Sequence, residues 1–190
     1  METEIIKKES FLPDNYQVPD KAKQFMKLTP GDNLIRVLSA PLLGWIVFKD
    51  DGTPVRRHYE EGEFNYEELV SMGAKRKEDG DFEWSKHFWL MLVWDFEAKA
   101  PKILEITQVS VLKPLYALTN DEDWGDLRDF NINIHREGTG KNDTKFEVIP
   151  KPHKPLAPEV QRVVDELTEK QLIDLNAIWK GKYPFEIYNY

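Results

Sequence analysis

Residues 87–96 form the most apolar run of the chain, and both of its alternating sets are filled: Phe88, Leu90, Leu92 and Trp94 on one side, Trp89, Met91 and Val93 on the other. Successive side chains of a strand point to opposite faces, so a strand written this way is at rest only when both faces are covered. The expectation is a central strand buried on both sides. Other strands gather around it. Behind the turn Pro30-Gly31-Asp32, residues 33–38 alternate Ile35 and Val37 with Leu34, Arg36 and Leu38, which puts Arg36 outward or at an edge. Residues 44–48 end at Asp50-Asp51-Gly52, a hairpin signal leading into 54–59. Residues 102–107 follow the central run across a short loop as its antiparallel partner. In 129–136, Phe130, Ile132 and Ile134 point inward and Asn131, Asn133 and His135 outward, a strand with one wet face. Residues 144–149 make a last strand before Pro150, Pro152, Pro155 and Pro158, whose spacing marks a stiff linker.

Helical spacing is confined to fewer places. Tyr66, Leu69 and Val70 share a face within 65–71, and Val111, Leu112, Leu115 and Leu118 within 108–119, where Pro114 marks a kink or a start. Two short helices are expected at 159–167 and 169–179. Residues 1–24 read as an arm, 25–150 as the folded unit and 151–190 as linker, helices and an aromatic tail; 59–86, acidic and glycine-bearing, reads as an insertion in a loop. The count of strands, with a helix after the central pair, fits a mainly β fold: a five-stranded Greek-key barrel of the OB type, its long first strand broken into pieces. A β-sandwich is the structural rival.

A chain of 190 residues, 41% hydrophobic, is long enough for one well-buried domain with arms. It has no cysteine, which excludes disulfides and thiolate metal sites and agrees with a reducing, cytoplasmic setting. No apolar run approaches the roughly 18–20 residues of a membrane-spanning helix, and the first eight residues lack a secretory pattern. The formal charge of −8 argues against a phosphate-rich partner until its distribution is considered. Residues 59–83 hold nine acids against three bases and 120–129 five against one, so the remainder is slightly positive.

Flat rings on strands, flanked by single cations, are what unpaired bases need in order to stack. The candidates are Trp45, Phe48, Tyr59 beside Arg56 and Arg57, and Trp89 preceded by Lys86, with Arg36, Lys102 and Arg136 as further cations. Asn133, His135, Lys141 and Lys145 are polar surface of the same region. Trp94 and Phe88 belong to the core. Enzyme readings have little to stand on. Asp121, Glu122, Asp123 and Asp126 have the oxygen ligands a hard cation wants but no Lys or His pair beside them. The four histidines are dispersed, and Gly138-Thr139-Gly140-Lys141 lacks the rest of a phosphate loop. No catalytic residue, cofactor or metal is expected.

In order and spacing, Phe25-Met26-Lys27-Leu28, Gly31-Asp32-Asn33, Gly44-Trp45, Phe88-Trp89, Val93-Trp94, Ile103-Leu104-Glu105-Ile106-Thr107, Asp123-Trp124-Gly125-Asp126 and Asp129-Phe130 resemble the single-stranded DNA-binding proteins of tailed bacteriophages. The resemblance covers about residues 25–156. It implies an OB-fold, a non-catalytic and largely sequence-independent role coating exposed strands in replication and recombination, and contacts from Trp45, Trp89, Arg36, Arg56 and Lys86. Neighbour contacts along the DNA would follow from the arms. The family's partner-recruiting acidic tail is replaced here by Trp179, Tyr183, Phe185, Tyr188 and Tyr190, so replication or recombination partners would meet a different kind of tail. The competing reading is a protein-interaction module with buried aromatics and the acidic insertion as its contact surface.

Overall fold

The computed structural model describes residues 21–140 and 143–185. Seven strands form one antiparallel sheet: β1 (Gly31–Val37), β2 (Leu42–Phe48), β3 (Pro54–His58), β4 (Lys86–Asp95), β5 (Ala100–Ile106), β6 (Phe130–Glu137) and β7 (Lys145–His153). Among the described residues three α-helices accompany them, α1 (Tyr66–Ser71), α2 (Val109–Thr119) and α3 (Pro158–Glu169). The fold is mainly β, as the alternation demands.

Strand β4 is the hub. Its first half pairs with β2, from Ile46 opposite Lys86 to Leu42 opposite Leu90, and its last residues pair with β1, Val37 opposite Val93 and Arg36 opposite Trp94. Strands β1 and β2 thus share one edge of β4 end to end, while β5 takes the other edge from Trp89–Ile106 to Asp95–Ala100. Beyond them β3 flanks β2, and β6 then β7 flank β1. Among the described residues no ladder joins β7 to β5 or β3, so hydrogen bonds do not close the sheet into the expected barrel. The outer edge of β5 is partly taken by the preceding segment: Phe25 bridges Ile103 in parallel, and the Met26 N–H donates to the Ile103 carbonyl at 2.8 Å.

Both faces of β4 are covered, by different material. The inner face is a core of Ile35, Val37, Met91, Val93, Leu104, Ile106, Phe130, Ile132 and Ile134, closed by Val111, Leu112 and Leu115 of α2. Pro114 lies inside that helix rather than at its start. On the outer face Ile46, Phe88, Leu90, Leu92 and Ile103 pack beneath Ile178, with Leu167, Ile173, Trp179 and Phe185 around it. The chain after α3 therefore folds back as a second layer, with a 3-10 turn at Leu175–Lys180 in place of the expected second helix. Trp179 is placed between Phe88, at 5.9 Å, and His58, at 3.9 Å between ring centres. The insertion after β3 has a small core of its own, Phe64, Leu69, Ala74 and Phe82 against Val47. Its α1 begins with a capping box in which the Glu68 N–H donates to the Asn65 side chain and the Asn65 N–H to Glu68.

Two further expectations differ from the structure. Pro150 and Pro152 do not end the sheet, because β7 continues to His153. Among the described residues it is an edge strand paired only with β6, where a missing N–H can face away from the ladder. The supposed wet face of β6 is largely dry: Asn131 and Asn133 are buried, held by Arg36 and Asp32.

Gly44 of β2 lies where β3 and β4 both approach closely. A Cβ there would lie 2.5 Å from the Arg57 carbonyl oxygen and 2.8 Å from the buried Phe88 ring. Gly44→Ala is expected to lower unfolding stability by about 2–3 kcal/mol, read from urea denaturation at unchanged m-value.

Candidate nucleic-acid interface

Trp45 stands on β2 opposite His87 of β4 and Arg57 of β3, all on the inner face but beyond the part that α2 closes. Tyr59, just past the end of β3, stacks on it with ring centres 6.1 Å apart and planes 13° from parallel. His87 completes the group, 5.3 Å from Trp45 and 5.2 Å from Tyr59. The cluster is tied to backbone: the Trp45 indole N–H donates to the Tyr59 carbonyl at 3.3 Å, and His87 Nδ1 lies 2.9 Å from the Gly44 carbonyl oxygen. Tyr59 remains 50% exposed. Leu43 and Trp89, register partners on the same face, extend the patch, Leu43 exposed and Trp89 half-buried against the inner core. The result is a shelf of rings between the inner core and the insertion.

The cations expected beside these rings do not gather there. Arg36 is 3% exposed, and its guanidinium donates to the Arg128 carbonyl at 2.8 Å, the Lys154 carbonyl at 2.6 Å and Asn131 Oδ1 at 3.1 Å. It points to the outer face and ties β1 to the chain before β6 and after β7. Burial pushes its pKa down, yet an arginine stays charged. Its expected outward or edge position is corrected by these bonds: three backbone or amide oxygens need its donors more than solvent does.

Arg56 also faces the outer side, paired with Glu105 at 2.7 Å in a largely buried ion pair. Lys86 and Phe48 belong to that face as well, both exposed. Arg57 shares the inner face with Trp45 but is turned toward the insertion, donating to Glu68 at 2.8 Å and to the Gly62 and Glu63 carbonyls, with its guanidinium 4.0 Å above the Phe64 ring. Lys102 donates to the Lys23 carbonyl. Arg136 sits at the far end of the inner face, donating to the Leu28 carbonyl at 2.7 Å. Of the ten candidates, then, Trp45, Tyr59 and Trp89 converge. His87, which follows Lys86 in the chain, joins them, because its place two residues before Trp89 puts it on the same face of the strand. Lys141 lies outside the described residues, and so do Tyr188 and Tyr190 of the tail.

A second polar group lies on the outer face, where Asp32 Oδ1 accepts from Asn133 Nδ2 at 2.8 Å and sits 2.7 Å from His135 Nδ1. The hydrogen bond from Asn133, and then the one with His135, holds the Asp32 carboxyl below its ordinary range; Asp32 in turn raises the His135 pKa. Among the described residues no three histidine or carboxylate groups converge to hold a metal ion.

Arg36→Met leaves the Lys154 and Arg128 carbonyls without their donor and is expected to cost about 2–4 kcal/mol of stability, read by chemical denaturation. The gain from the His135 imidazolium is full below about pH 6.5 and fades as pH rises through its elevated pKa, while that from Asp32 fades as pH falls through its depressed one. Asp32→Asn is therefore expected to lower the His135 pKa in an NMR titration of its ring protons. No family model, no curated protein and no solved structure matches this chain.

Proposed function

We propose that this protein binds single-stranded DNA without catalysis, coating exposed strands during phage replication or recombination, with bases stacking on the Trp45–Tyr59–His87 shelf. The observation that carries the reading is Tyr59, a half-exposed ring already stacked on an indole, at the open edge of a strand surface. A ring offered to solvent in this way can accept a base on its free side, worth about 1–3 kcal/mol per base. Chain order supports an OB reading of the sheet. Strands β1 and β2 together act as one bent first strand, β4 and β5 follow as a hairpin, α2 comes between the third and fourth strands, and β6 and β7 finish the unit.

Electrostatics contributes less than the sequence suggested. Arg36, Arg56 and Arg57 spend their donors inside the protein, and Glu60 and Glu61 follow Tyr59 directly. The strand is therefore expected to run from Tyr59 toward Trp89, away from the acidic insertion, with about one or two phosphates neutralised. A salt slope of log K against log[salt] near −1 follows, shallow for a nucleic-acid binder.

A second reading has its own observation. The insertion exposes Tyr66, Val70 and Trp84, apolar side chains on an acidic module, which favours a protein partner docking there. Titration of tryptophan fluorescence with oligo(dT) at low and high salt separates the two. Quenching that weakens between about five-fold and a hundred-fold in Tyr59→Ala, with the shallow slope, supports strand binding. An unchanged signal at both salts overturns it and leaves the insertion as the contact surface.

A further inference from the structure

A cavity of about 790 Å³ opens where the inner face ends, between the segment before β1, the end of β5, the start of α2 and the β6–β7 hairpin. Its size is that of a small-molecule site. Met26, Leu28, Leu104 and Phe146 give it an apolar side continuous with the inner core. Arg136 gives it a charge. The Arg136 guanidinium donates to the Leu28 carbonyl and, at 3.5 Å, to Thr144, but its Nε is buried with no acceptor among the described residues. Among the described residues no carboxylate lies within ion-pair distance of it. Among the described residues the one acid lining the cavity is Glu105, which Arg56 holds in two contacts, at 2.7 and 3.2 Å.

A guanidinium with one buried donor unmet and no carboxylate partner among the described residues is suited to an anion supplied from outside. The rim adds a further cation and a helix start. Lys27 lies on it, and α2 opens there at Val109 and Ser110 with no acidic residue in its first turn and no side-chain cap on its N–H groups. Flat or apolar matter fits beside Phe146 and Met26, and an oxyanion fits at Arg136. Phosphate matches better than carboxylate because its three free oxygens meet the several donors around it.

We propose that this cavity is a binding site for a phosphate group carried on a small organic body, of the class of a nucleoside monophosphate, with Arg136 as the phosphate anchor and Phe146 against the ring. The site is separate from the Trp45–Tyr59–His87 shelf. Its ligand chemistry could come from a free mononucleotide or from the 5′-phosphorylated end of a strand.

The test is calorimetric titration of the full chain with 5′-dTMP, thymidine and inorganic phosphate. Saturable binding of 5′-dTMP, at least ten-fold tighter than either of the other two, is expected. Arg136→Gln should abolish it. Because that change also removes the bond to Leu28, Ser110→Glu serves as a second variant: Ser110 is exposed, an acid in the first turn of a helix favours the helix, and the new carboxylate repels phosphate from the cavity. It is expected to bind 5′-dTMP at least ten-fold more weakly at an unchanged or higher melting temperature, while Tyr59→Ala binds it as the parent does. A gain in affinity for 5′-phosphorylated over 5′-hydroxyl oligo(dT), lost in Ser110→Glu, assigns the ligand to a strand end; no such gain alongside 5′-dTMP binding assigns it to the free nucleotide. Absence of 5′-dTMP binding into the millimolar range, equal binding of thymidine, or a Ser110→Glu protein that binds normally overturns the proposal. None of these outcomes touches quenching by 5′-hydroxyl oligo(dT), which reports on the shelf alone.

Discussion

The double-sided burial of β4 is the constraint on which the rest of the structure depends. Phe88, Leu90 and Leu92 on one face and Met91 and Val93 on the other are all buried, each contributing about 1.5–3 kcal/mol relative to exposure. One layer of cover cannot serve both sets. The inner set is met by the remaining strands and α2, the outer by the chain that follows α3. Because the first half of β4 pairs with β2 and its last residues with β1, the same strand also sets the register of the two halves that carry Trp45 and Arg36.

The arginines of β1 and β3 serve as fasteners. Arg36 joins three segments through carbonyl and amide oxygens, Arg56 crosses to Glu105, and Arg57 secures the insertion through Glu68 and two carbonyls. Charge-assisted bonds of this kind are strong where water is excluded, and the planar fork of arginine reaches several acceptors at once. What is left for a ligand is correspondingly local. Rings are offered at Tyr59 and a guanidinium with unspent donors at Arg136, and the two occupy different parts of the inner face.

The outer face carries a different lesson. In an open sheet it would be the natural second surface for a strand, yet Trp179 and Phe185 lie over it and leave exposed only its margins, such as Lys86 and Phe48. The aromatic tail is in this respect a structural element as far as it is described. Trp179 and Phe185 supply apolar area that the outer face of β4 requires.

Much of the local structure was legible from residue order. Side-chain pattern and turn signals located the seven strands to within a few residues, Asp50-Asp51-Gly52 marked the β2–β3 hairpin, and the apolar spacing of 108–119 marked α2 in spite of Pro114. These are local consequences of side-chain period and turn chemistry. The site was legible only in part: Trp45, Tyr59 and Trp89 were named together, but Arg36 and Arg56 were placed beside them although they point the other way. Residue type by itself determined that the chain would make an aromatic-rich antiparallel sheet around one fully apolar strand. Which face each ring and cation takes, which cations are consumed by buried carbonyls and carboxylates, and where a charged cavity opens were decided only by the tertiary structure, because they depend on strand pairings and on acceptors up to a hundred and more residues away in the chain, as Lys154 is from Arg36.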